Sequence, residues 1–150
     1  MIKIAYMLDV FPVISETFIL DEIIELRKRG LDIVIFSLHP ADRLPYNFLV
    51  HAESEDLIKE TRYLDPFDIK IGRSKKALLH LLILARYPFL YLKTLRFALR
   101  KGGEIFQAFK TIPFYIRQVR SENPNHIHAH FAETALDLSM LISMVTGIPY

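Results

Sequence analysis

The sequence predicts an α/β protein: a parallel sheet with helices on both faces. Three observations carry this. An apolar run, IKIAYML (2–8), is followed by a helical pattern, ETFILDEIIELRKR (16–29), and a second apolar run, LDIVIFSL (31–38). Strand, helix and strand in that order form a βαβ unit, with parallel strands and a right-handed crossover. Far along the chain, HIHAHF (126–131) follows Pro124 and precedes a second helical stretch. Just over half the residues are apolar, enough to fill the core of one domain.

The first strand ends at Leu8, leaving DVFPVIS (9–15) as its loop. Ser15 is the expected N-cap of the first helix. Ile19, Ile23 and Leu26 share one helix face, with Leu20 and Ile24 beside them. Arg27-Lys28-Arg29 suit the carboxyl end of the helix dipole, and Gly30 stops the helix. Residues 39–60 read as a loop with one short helix, and TRYL (61–64) as a short third strand. Residues 70–122 read as helical, broken at Pro88, at Gly102-Gly103 and at Pro113. HIHAHF is the fourth strand with its tip. A helix over 132–146 closes at Gly147 and Pro149, and the final IPY reads as the opening of a fifth strand.

Such a doubly wound, Rossmann-like sheet takes the order 3-2-1-4, and ligands bind outside the carboxyl ends of its strands where the winding reverses. The 9–15 loop, the start of the first helix and residues 128–131 should then share a cleft. Free N–H groups there, with Ser15 and Thr17, are a candidate anion site. The loop has no glycine, so the glycine-rich turn of dinucleotide-binding sheets is missing and a close backbone approach to a diphosphate is not expected.

Alternation along a strand puts His126, His128 and His130 on one face. His126, near the strand start, is expected to be partly buried. His128 and His130 are the functional candidates, since a neutral imidazole both donates to and accepts from hydroxyls. A His-x-His pair also raises a metal-hydrolase reading, but His39, His51 and His80 offer no matching third ligand, so no metal is expected.

There are no cysteines, which excludes thiolate metal sites and disulfides. The net charge of +2 hides an asymmetry: residues 70–120 hold twelve Lys/Arg against Glu104 alone. Lys93, Arg96 and Arg100 form a stripe at i, i+3, i+7, next to an apolar stripe of Leu92, Leu95 and Leu99 and the aromatics Tyr87, Phe89, Tyr91 and Phe97. One reading is a solvated face beside a core face. The other is a basic aromatic surface on anionic lipid, with Lys93, Arg96 and Arg100 facing the membrane. Nucleic acid is not expected, as no nucleic-acid motif accompanies the block. The stretch 77–99 carries His80, Arg86, Lys93 and Arg96 and is not expected to span a membrane. The amino terminus lacks the apolar core and cleavage site of a secretory signal.

FPVISETFILDEIIELRKRGLDIVIFSL and HIHAHFAETALDLSMLISMVTGIPY resemble the N-terminal half of family 4 glycosyltransferases of the GT-B fold, of the type that builds bacterial surface polysaccharides and exopolysaccharides. The resemblance covers roughly residues 2–38 and 123–150. It implies that residues 1–150 are the acceptor-side Rossmann-like domain, incomplete, and that a C-terminal donor-binding domain lies outside the chain. It implies a retaining enzyme that moves a sugar from a nucleotide-sugar to a glycan or lipid-linked acceptor, without cofactor or essential metal. The chain alone is then expected to be inactive, in the cytoplasm and peripheral to the inner face of the membrane. The resemblance favours His128 as the catalytic group facing the transferring sugar. His130, Phe131, Ser15, Glu16 and Thr17 are the acceptor-binding candidates. A non-catalytic Rossmann-like ligand-binding or interaction module is the alternative.

Overall fold

In the computed structural model, the described residues are 1–13, 16–40, 52–64, 72–131 and 133–150. The elements run β1 (Lys3–Phe11), α1 (Thr17–Lys28), β2 (Asp32–Pro40), α2 (Ala52–Glu60), β3 (Arg62–Tyr63), α3 (Arg73–Arg86), α4 (Pro88–Lys101), α5 (Gly103–Ser121), β4 (His126–Ala129) and α6 (Thr134–Thr146). The four strands form one all-parallel sheet in the order β3-β2-β1-β4. The α/β class, the Rossmann-like architecture and the 3-2-1-4 order read from the sequence all hold.

The apolar alternation of β1 divides the core. Tyr6 and Leu8 turn to one face and pack with Ile33, Ile35, Ile19 and Ile23 beneath α1. Ala5 and Met7 turn to the other face and pack with Ile127, Tyr115, Ile116 and Ile142 beneath α5 and α6. Burying such side chains is worth about 1.5–3 kcal/mol each, which makes the two layers the main source of cohesion.

Several expectations change. β1 continues through Asp9, Val10 and Phe11, because Val10 and Phe11 pair with His39 and Pro40 of a longer β2. Part of the expected 9–15 loop is therefore strand. α1 starts at Thr17 with Glu16 in the cap position and no side-chain capping bond; Ser15, the expected cap, lies outside the described residues. Pro113 does not break the chain but sits buried inside α5. A proline there costs about 3 kcal/mol, and its neighbours Ile112, Tyr115 and Ile116 offset this by burial. α6 begins at Thr134, two residues later than expected, and ends on Gly147 in the left-handed conformation (φ 77°). Beyond it, the Ile127 N–H of β4 donates to Pro149 O at 2.8 Å.

The amino ends of the strands are tied by charge. The Lys3 ammonium lies 3.1 Å from Asp32 and 3.5 Å from Glu122, and Arg62 pairs with the same Glu122. Lys3 also exchanges two hydrogen bonds with Asn125, each 2.8 Å.

Candidate functional site

A cleft of about 230 Å³ opens at the carboxyl ends of β1 and β4, lined by Leu8, Asp9, Val10, Val13, Glu16, His130, Phe131 and Glu133. The switch-point rule places it there: α1 and α6 start on either side of the point where the winding reverses. It is smaller than the roughly 300–1,000 Å³ of sites for drug-sized ligands, so it suits one small ring.

Asp9 anchors the cleft. Both its carboxylate oxygens accept the Ala135 N–H at 3.2 Å, so β1 supplies the anion that caps α6. Burial pushes the Asp9 pKa up, helped by the Glu133 and Asp137 charges and opposed by the Ala135 bond. Burial also raises Glu16, with Glu133 and Asp9 adding to the rise. Three carboxylates face one small space. A phosphate at the α1 start would meet like charge, which weighs against the anion-binding reading there.

Phe131 has φ 64°, a left-handed conformation that a bulky residue rarely adopts. Its ring is half-exposed at the cleft and meets Phe18 edge-on at 6.1 Å. Phe18 and Phe131 also flank His130, whose side chain is only 16% exposed against 38% for His128. The more distal histidine is thus the more covered one. His126 is half-buried, as expected.

His128 stands behind His130 and does not line the cavity. It pairs with Tyr6 across the sheet, so the histidines face α1. There they meet Glu22, which the sequence reading passed over. His128 Nε2 and His130 Nε2 are 3.2 Å apart, and His130 Nε2 is 3.4 Å from Glu22 Oε2. The Tyr6 hydroxyl donates to Glu22 Oε1 at 2.6 Å. Burial and that carboxylate push the Tyr6 pKa up. Burial lowers the His128 pKa; His130 adds to the fall and Glu22 opposes it. The net direction favours the neutral imidazole at His128.

Of the sequence candidates, Glu16, His130 and Phe131 come together in the cleft. Thr17 opens α1 exposed and does not line the cleft. Asp9 lies in the 9–15 stretch expected to line the cleft, without having been singled out; Glu133, Glu22 and Tyr6 were missed as site residues. The available signal for Glu22 was its place three residues after the core residue Ile19, at the edge of the buried face.

The basic stripe lies elsewhere, on α4. Tyr91, Thr94 and Ala98 form its buried face. Leu92 and Leu99, core residues on the first of the two readings of this stripe, are 53% and 59% exposed, and they stand among exposed Lys93, Arg96 and Arg100. Phe89 is 86% exposed; Tyr87 and Phe97 are half-buried. On neighbouring α3, Leu78, Leu81 and Leu82 are also exposed. No helix of the described residues is long and apolar enough to cross a membrane.

Fold and cleft together define an α/β protein of Rossmann-like type with an acidic, aromatic-edged switch-point cleft. No protein-family model, curated protein or solved structure matches the chain.

Proposed function

We propose that the chain is the acceptor-side domain of a family 4, retaining GT-B glycosyltransferase that moves a sugar from a nucleotide-sugar to a glycan or lipid-linked glycan. The cleft chemistry carries the reading. Asp9, Glu16 and Glu133 offer acceptor oxygens for hydroxyls, His130 can donate or accept, and the Phe131 ring can cover the apolar face of a sugar. The same carboxylates disfavour a diphosphate. The nucleotide grip therefore belongs to a C-terminal donor domain, and this chain by itself performs no transfer. In this scheme Glu16, His130 and Phe131 hold the acceptor. His128, behind them, orients His130 toward the transferring sugar.

Saturation-transfer NMR against methyl glycosides and short oligosaccharides tests the acceptor site. Signals are expected for at least one glycoside, abolished in Phe131→Ala and weakened in Glu16→Gln. Calorimetry with UDP-glucose should show no binding tighter than millimolar. Silence from every glycoside, or micromolar UDP-glucose binding, would overturn the assignment.

The outward face of α4 supports a place on an anionic leaflet at the inner face of the cell membrane. Phe89, Leu92 and Leu99 supply apolar contact between the charges of Lys93, Arg96 and Arg100. Interfacial helices use this mixture of apolar and basic side chains.

A further inference from the structure

The expectation of no metal rested on the lack of a third ligand beside His128 and His130. Glu22 removes that ground. Two of the three side chains sit on elements that the core already fixes, His128 on β4 and Glu22 on α1, one residue before buried Ile23; His130 follows directly after the end of β4.

Their spacing is that of ligands around one ion. Atoms held about 2.0–2.2 Å from a tetrahedral zinc stand about 3.3 Å from one another. The His128 and His130 Nε2 atoms are 3.2 Å apart, and Glu22 Oε2 is 3.4 Å from His130 Nε2. Glu22 Oε1 lies 4.0 Å from His128 Nε2, and one ligand atom from each residue falls within 4.8 Å of the others. The two Nε2 atoms face each other, and only one proton fits between them. A cation would satisfy both lone pairs.

The surroundings support the set. The Tyr6 hydroxyl holds Glu22 Oε1 at 2.6 Å, the kind of outer hydrogen bond that orients a ligating carboxylate. The Tyr6 ring lies 4.8 Å from the His128 ring and 5.8 Å from the His130 ring and limits their rotation.

We propose that Glu22, His128 and His130 form a three-ligand site for a divalent cation of the zinc class, Zn²⁺, Co²⁺ or Ni²⁺. Two imidazoles and one carboxylate suit these ions rather than Mg²⁺ or Ca²⁺. The ion would clamp α1 to the end of β4, and its fourth position would take water or a ligand oxygen. His130 also lines the cleft, so the clamp fixes one wall of it. The proposal does not depend on the glycosyltransferase reading.

The test uses the untagged chain, stripped with chelator. Co²⁺ titration should produce the visible absorption of a low-coordinate cobalt site at one equivalent. Calorimetry with Zn²⁺ should give one site, and the melting temperature should rise with free Zn²⁺. Glu22→Gln and His128→Ala should each weaken Zn²⁺ binding at least about tenfold, and Tyr6→Phe, which touches only the outer bond, should weaken it by about tenfold. His126→Gln, outside the set, should leave it unchanged. Glu22→Gln keeps the side-chain shape, which guards against a variant that simply fails to fold. No saturable Zn²⁺ binding in the parent chain, or binding that survives both Glu22→Gln and His128→Ala, would overturn the proposal. The cluster would then be a proton-linked network alone.

Discussion

Around Asp9, the groups that face solvent come from four separate segments: the end of β1, the approach to α1, the tip beyond β4 and the turn before α6. Along α4 they come from one helix. The cleft exists only if the sheet order is correct, and its polar groups answer one another, as Asp9 does for Ala135. The α4 face exists wherever the helix forms, and its charges and leucines act side by side. A substitution in the cleft should therefore propagate, whereas one on the outer face of α4 should stay local.

The sharpest way to break this comparison is on α4 itself. Tyr91→Ala, on the buried face, should cost about 4 kcal/mol in urea denaturation. Leu99→Ser, on the outer face, should change stability by no more than about 0.5 kcal/mol. Equal costs would mean that the outer face is covered. Next in size is the membrane effect. At about 1 kcal/mol per charge, replacing Lys93, Arg96 and Arg100 together with Gln should lower partitioning onto anionic vesicles about a hundredfold. Salt should weaken the parent's binding, and neutral vesicles should bind little of it. If parent and triple variant both stay in solution with anionic vesicles at low salt, the membrane role fails. The smallest effect belongs to the cleft. At φ 64°, Phe131→Gly should be more stable than Phe131→Ala by about 1 kcal/mol, because only glycine adopts that conformation without strain. Equal stabilities would place Phe131 in an ordinary backbone conformation and loosen the cleft wall.

Much of the fold was legible because the apolar runs had the length and spacing of a βαβ unit. The 3-2-1-4 order followed from the general winding rule. The cleft's location followed in turn, and so did three of its residues, Glu16, His130 and Phe131. Alternation put three histidines on one face but could not say which. The answer depends on Tyr6, the partner of His128, packing beneath α1. That hid the meeting with Glu22. The Asp9–Ala135 bond joins positions 126 residues apart, with no local signal at either end. The leucines of α4 were left between two readings for a different reason. Apolar residues surround much of that helix, so periodicity chose no face. Thr94 and Ala98 decided it, since small side chains allow close approach to the core.

The ionic knot at the amino ends of the strands acts as a reading-frame check on the sheet. Lys3 belongs to β1, Asp32 to β2 and Arg62 to β3, while Glu122 closes the turn after α5 and takes both cations. These partly exposed pairs contribute little energy one by one. Their value is discrimination. If β1 slid by one residue against β2, Ile2 or Ile4 would occupy the place of Lys3, and the β1 side chains Tyr6 and Leu8 would exchange faces with Ala5 and Met7. The hydrophobic layers penalise that error by burial, and the knot penalises it by charge at the strand ends.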